Sequence, residues 1–249
     1  MRDRFAGRRR RMRGCAIAAA AMLGLLTGAP ARAQPVDLQL VLAVDASGSV
    51  STSRFELQKR GYAEAFRDRQ VLDAIRSGPA AAIAVTMVQW TGPSLHVQVV
   101  PWTLLKDEAT SAEMAAIVDA TPRRLFGGGT SISGAIDHAM SLFRSSGFQG
   151  TRRTIDVSGD GSNNSGRSVT RARDEAVAAG VVINGLPILA VEPDLDIYYK
   201  ENVIGGPGAF VIAAQSFDKF ADAILKKMII EISSDGRGRE RSAALAAGR

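Results

Sequence analysis

The chain is short of the residues that several common chemistries need. It has one cysteine, Cys15, two histidines, His96 and His138, and no lysine between Lys106 and Lys200. A single cysteine forms no intramolecular disulfide, so an ordinary apolar core must hold the fold. His96 falls on an alternating strand pattern and His138 on a helical one, and no Gly-x-Ser-x-Gly context accompanies any serine. That argues against a serine hydrolase and reads both histidines as surface or packing residues. The glycine run Gly127-Gly128-Gly129 is not followed by Gly-Lys-Ser/Thr, so it is no nucleotide-binding loop.

Long apolar runs are scarce as well. The apolar, uncharged stretch Gly14 to Leu26 is too short to span a bilayer comfortably. It follows seven arginines in Met1 to Arg13 and precedes Ala31-Arg32-Ala33, whose small residues suit a signal peptidase. Residues 1–33 therefore read as a cleavable export signal, cut before Gln34, and the product as periplasmic or secreted with no stable membrane anchor. The whole chain has 31 Lys+Arg against 25 Asp+Glu; eight of the arginines and one acid fall in those 33 residues, leaving 23 against 24. The high isoelectric point thus belongs to the leader and gives no argument for nucleic acid.

What is present is a regular alternation of strand and helix patterns from Leu38 onward. Leu38 to Val44 reads as a buried strand, and Ser53-Arg54-Phe55-Glu56 as a capping box opening a helix to about Arg67. Ala81 to Trp90 and Leu95 to Val100 form a hairpin around Thr91-Gly92-Pro93-Ser94. Thr110 to Glu113 opens a helix that ends before Pro122, and another follows Thr130 through Phe143. Arg153 to Ser158, Arg167 to Ala179 and Val181 to Leu189 continue as strand, helix and strand. A short helical piece near Asp194 to Glu201 leads to a last strand at Ala209 to Ala214 and a closing helix from Ser216 to Ile232. The expected fold is a doubly wound α/β domain over 34–232, with a mostly parallel six-stranded sheet, one antiparallel edge strand and helices on both faces. Residues 233–249, rich in Gly, Arg and Ala, read as a disordered tail.

Ligands of such sheets sit at the carboxyl ends of the strands. Three segments there carry oxygen. Asp45-Ala46-Ser47-Gly48-Ser49 leaves the first strand with one carboxylate and two hydroxyls at alternate positions. Thr130 follows the glycine run, and Asp160 follows the strand that ends at Ser158-Gly159. Two carboxylates and three hydroxyls, with no nitrogen or sulfur, suit a hard divalent cation: Mg²⁺ first, Mn²⁺ or Ca²⁺ as alternatives.

In this order and on these elements, Asp45-x-Ser47-x-Ser49, Thr130 and Asp160-Gly161 resemble the metal-ion-dependent adhesion site of von Willebrand factor A domains. The resemblance extends over roughly Val36 to Ile232. A narrower one, through Ile155 to Asn164 and Val203 to Phe210, is to an uncharacterised family of exported bacterial proteins of that type. The resemblance implies that Asp45, Ser47, Ser49, Thr130 and Asp160 are metal ligands. It also implies that an open coordination position accepts a carboxylate from an acidic side chain of a protein partner. Such domains usually place Thr just before the second Asp; here Gly159 stands there, so one orienting hydroxyl is missing.

Gly159-Asp160-Gly161-Ser162-Asn163-Asn164 also looks like the metal loop of haloacid-dehalogenase-type phosphatases. That chemistry needs an acid where Ser47 stands and a lysine ahead of the second loop, and neither is present. A third reading treats the hydroxyls as helix caps around a vacant site. Asp156 and Asn184 fall mid-strand, where apolar residues are expected, and a hydrogen bond between them is the expected compensation. Trp90, Trp102, Tyr198 and Tyr199 read as packing residues near the site.

Overall fold

A computed structural model describes residues 33–233. The leader (1–33) and the tail (233–249) assigned above lie outside the described residues except for Ala33 and Ser233, and Ser233 ends the last helix. The elements run β1 (Gln34–Asp45), α1 (Thr52–Arg67), α2 (Arg69–Arg76), β2 (Ile83–Trp90), β3 (His96–Leu105), α3 (Glu108–Ala120) and α4 (Ile132–Arg144). They continue with β4 (Phe148–Gly159), α5 (Val169–Ala178), β5 (Val182–Pro187), α6 (Leu195–Tyr198) and α7 (Phe220–Ser233). A π-helical turn, Tyr199–Val203, extends α6, and a 3₁₀ turn, Phe217–Lys219, leads into α7.

The sheet order is β3-β2-β1-β4-β5, with β1 parallel to β2 and β4, β4 parallel to β5, and β3 antiparallel at one edge. Five strands stand where six were expected. Backbone bonds do run from Gly185 to Phe210, from Ile212 to Gly185, and from Ala214 and Leu189 across the Pro187 region. Only isolated bridges result, at Val211 and Ala214. The next rung would need an amide hydrogen on residue 187, and proline has none, so the ladder breaks there.

Strand alternation divides the core into two layers. Leu38, Leu40, Leu42 and Val44 face α1, α2, α3 and α7, whose Tyr62, Phe66, Met114, Phe220 and Ile224 fill that side. Val41, Ala43, Ile155, Val157 and Ile183 face α4, α5 and the α6 region, against Ile132, Ile136, Ala172 and Tyr199. Trp90 is fully buried in this second layer, and Trp102 donates to the Leu142 carbonyl while its ring packs on Phe143.

Helix starts are set by caps, some displaced from the expected residue. Ser51, two residues before Ser53, caps α1 by accepting from the Arg54 amide, while Glu56 pairs with Lys59. Asp107 and Thr110 form a reciprocal capping box on α3. Ser131 caps α4 by accepting from the Gly134 amide. Each such cap contributes on the order of 1 kcal/mol.

Candidate metal centre

The order of strands reverses between β1 and β4, so β1 leads outward to β2 on one side and β4 to β5 on the other. The loops leaving these two strands splay apart and leave a crevice at their carboxyl ends. Asp45 ends β1, and Asp160 follows the last residue of β4. Both are fully buried, Ser47 nearly so, and Thr130 is only 6% exposed.

Three loops meet there, each tied to the other two. The Ser49 hydroxyl donates to Asp160 Oδ1 at 2.5 Å and lies 3.1 Å from Ser47 Oγ. The Ser47 amide donates to Asp45 Oδ1 at 2.7 Å, which fixes that carboxylate over its own turn. The Gly48 amide donates to the Gly128 carbonyl. Thr130 and Asn164 exchange bonds, the Thr130 amide to Asn164 Oδ1 at 2.9 Å and the Asn164 amide to the Thr130 carbonyl at 2.9 Å. Thr130 Oγ1 lies 3.5 Å from where a Cβ on Gly161 would stand. The structure thus brings all five sequence-assigned residues to one rim. Gly127 and Gly128 adopt φ of +79° and +91°, the left-handed conformation that glycine alone takes without strain.

The caps bear on the vacant-site reading. Ser51 and Ser131 perform the N-capping, which leaves Ser47, Ser49 and Thr130 without that task.

Electrostatically the rim is under-compensated. Asp45 Oδ2 and Asp160 Oδ2 are buried without a hydrogen-bond partner. Burial above all, helped by the neighbouring Asp160 charge and resisted by the bond from Ser47, pushes the Asp45 carboxyl up to about 7. Burial also raises Asp160, against the bond from Ser49 and the charge of Arg54. A divalent ion between them would reverse both shifts by favouring the charged forms. Two orphaned carboxylate oxygens beside three hydroxyls fit a hard cation. No cluster of three or more His, Cys, Asp or Glu occurs among the described residues, so hydroxyls must complete any such set.

Sequence reading missed several residues. Arg54 reaches Asp160 Oδ2 at 3.8 Å and bonds the Ser49 carbonyl. Arg123, stacked between Phe55 and Phe126, donates to the carbonyls of Ala46 and Ser47 and so braces the first loop from outside. Glu192 accepts from the Ser162 amide and hydroxyl beside Gly161. Asn164 anchors Thr130. Tyr199, buried in the second core layer, brings its hydroxyl to 3.2 Å from where a Cβ on Gly159 would stand. The pairing of Asp45-x-Ser-x-Ser with later Asp and Thr was visible; no short pattern marks these supporting groups.

The expected bond between Asp156 and Asn184 is not formed. They are register neighbours on β4 and β5, but both point to α7. Asp156 pairs with Lys227 at 2.6 Å, and Asn184 donates to Glu231 at 2.7 Å while accepting from the Phe210 amide. Lys227 offers Asp156 an opposite charge, which a neutral asparagine could not, and Glu231 offers Asn184 an acceptor. His96 and His138 stack at 4.1 Å between ring centroids, away from the carboxylates' hydrogen bonds.

A doubly wound sheet with one antiparallel edge, carrying a hydroxyl-and-carboxylate rim at its switch point, is the fold of the von Willebrand factor A class. Within that class, the chain belongs to the family described as Protein of unknown function (DUF1194), whose model matches residues 35–236. Comparison with curated proteins gives no match. Among solved structures, proximal thread matrix protein 1 from the mussel byssus is similar at a TM-score of 0.59 and 17% identity, over 80% of this chain and 49% of that one. The same mussel protein with a zinc-occupied MIDAS motif gives 0.54 and 19%, over 78% and 45%. A von Willebrand factor type A structure from Catenulispora acidiphila gives 0.52 and 15%, over 79% and 43%. This chain spans about half the length of these solved chains. At such identities the likeness is one of fold.

Proposed function

We propose that this domain binds a divalent cation, Mg²⁺ foremost, through Asp45, Ser47, Ser49, Thr130 and Asp160, and through that ion an acidic side chain of a protein partner. The observation that carries the reading is the pair of buried oxygens without a hydrogen-bond partner, Asp45 Oδ2 and Asp160 Oδ2, on carboxylates whose other oxygens accept from the Ser47 amide and the Ser49 hydroxyl. A similar mussel structure described as having a zinc-occupied MIDAS motif gives the idea independent support. When bound, the ion supplies concentrated positive charge for an incoming carboxylate. The chain's own groups hold that charge: the Ser47 amide orients Asp45, and Asn164 fixes the Thr130 backbone.

The reading is one of adhesion or scaffolding, not of catalysis. The cations nearest the acids are Arg54 and Arg123, both engaged with loop carbonyls. Affinity for a partner would come mostly from the surface around the ion. Leu95 and Phe126, 51% and 69% exposed, stand on the two loops that meet at Gly128 and could supply apolar contact. Export to the periplasm or medium, following from the leader pattern, is part of the proposal. No helix among the described residues is long and apolar enough to cross a membrane.

Thermal unfolding with Mg²⁺ and with chelator tests the metal. Wild type is expected to gain stability with Mg²⁺, about 2.7 kcal/mol at a hundredfold excess over Kd, and Asp45→Ala to gain none. Equal gains would reject the site. Partner capture from periplasmic extract, lost on chelation, tests the bridging step; Mg²⁺-dependent phosphatase turnover would contradict the non-catalytic reading.

A further inference from the structure

Gly159 lacks the side chain that would stand between β4 and the metal carboxylates, and the space above it is shared by two oxygens. A Cβ placed on Gly159 would lie 2.9 Å from Asp45 Oδ2 and 3.2 Å from Tyr199 Oη. Both oxygens therefore face one point, and both are buried without a hydrogen-bond partner. Orphaned polar atoms are rare in native cores, and two beside one point call for a common explanation. One is a donor and the other a carboxylate acceptor.

A second glycine makes room for the same phenol. A Cβ on Gly185 would lie 2.5 Å from Tyr199 Cδ1, so any side chain there would collide with the ring. Gly159 and Gly185 occupy adjacent strands and the same face of the sheet, the face that also carries Asp45. The tyrosine comes from the π-helical turn after α6, whose backbone closes with the Ile204 amide donating to the Tyr199 carbonyl. Two cleared strand positions and an irregular helical turn thus deliver one hydroxyl beneath one carboxylate.

Resting on the metal reading above, we propose that Tyr199 is the positioning residue of the metal site, donating its O–H toward Asp45 Oδ2 and so turning the carboxylate toward the ion. It supplies the hydroxyl that Gly159 does not carry. Tyr62 provides a natural contrast: it is equally buried, but its hydroxyl donates to Ser158 in the opposite core layer.

Calorimetric titration of Mg²⁺ into wild type, Tyr199→Phe and Tyr62→Phe tests this. Loss of an outer-shell partner costs about 10-fold or more in metal affinity, so Tyr199→Phe is expected to weaken Kd about 10-fold while Tyr62→Phe leaves it unchanged. A second measurement does not depend on the Tyr199 variant folding. The chain has three tyrosines, so fluorotyrosine labelling gives three fluorine resonances, and Phe variants of Tyr62 and Tyr198 assign the third by elimination. The Tyr199 resonance is expected to move with Mg²⁺ at the calorimetric midpoint while the Tyr62 resonance stays. Wild-type affinity in Tyr199→Phe, or a Tyr199 resonance indifferent to Mg²⁺, overturns the role of Tyr199 and leaves the metal site standing. Absence of any Mg²⁺ binding by wild type removes the metal site itself.

Discussion

Asp156 and Asp160 are four residues apart at the end of the same segment, both fully buried, yet the protein treats them in opposite ways. Asp156 looks toward α7 and meets Lys227 at 2.6 Å, with Glu231 and the Phe210 ring around the ammonium, Asn184 donating to Glu231, and Arg152 donating to the carbonyls of Glu231 and Ile232. Asp160, with Asp45 beside it, looks to the rim and has only hydroxyls, amides and a distant Arg54. Buried charge is tolerated only with compensation. At the lower site the chain contributes its own cation. At the upper site the compensation is incomplete, and its oxygen surroundings suit a cation from solution. The contrast separates a structural acid from a proposed ligand better than burial does.

The largest effect expected from breaking the comparison is at Lys227. Lys227→Met strands Asp156 against an apolar side chain and should cost about 3–5 kcal/mol in urea unfolding, with Mg²⁺ affinity retained by the folded fraction. Next in size, the two acids should respond with opposite signs when unfolding is measured in chelator. Asp156→Asn, which breaks the pair with Lys227, should destabilise by about 1–3 kcal/mol. Asp45→Asn removes an uncompensated charge while keeping an acceptor for the Ser47 amide, and should raise the unfolding midpoint. A fall in both would erase the distinction between the sites.

A smaller effect is expected at Asn164. Asn164→Ala frees the Thr130 amide and should weaken Mg²⁺ affinity about 10-fold with little change in chelator. The smallest concerns an exposed counterpart of the buried pairs. Arg167 bridges Asp137 and Glu175, and its bond, with that of Arg171, holds the Glu175 carboxyl down to about 2. A depressed carboxylate stabilises the fold above its ordinary value of 4.5, and that contribution is lost as pH falls from there toward 2. Arg167→Ala should flatten the acid limb of the stability curve in that window, by the small amount typical of solvent-screened pairs. An unchanged limb would show that the pair contributes nothing.

The parts of this picture legible in the sequence are those written locally. Strand and helix order follows from apolar spacing, and Asp45-x-Ser47-x-Ser49 from residues two apart on one turn. The two positive-φ glycines before Thr130 are likewise a local requirement. The rest depends on which distant segments the fold sets side by side. Lys227 and Glu231 lie on the buried stripe of α7 with Phe220 and Ile224, which only makes sense once Asp156 and Asn184 are known to face them. Tyr199 reads as one more aromatic until Gly159 and Gly185 are seen to clear its path. The sixth strand was expected from the Ala209 to Ala214 pattern, and it failed because of its neighbour: Pro187 withholds the one donor the ladder needed.

The most direct test of the central claim is anomalous diffraction from crystals soaked in Mn²⁺. The account predicts one peak at the rim, within about 2.0–2.4 Å of Ser47 Oγ and Ser49 Oγ and beside Asp45, Thr130 and Asp160, with none at the Asp156–Lys227 pair. A rim without manganese at saturating concentration, its two carboxylates still turned toward an empty point, would contradict it.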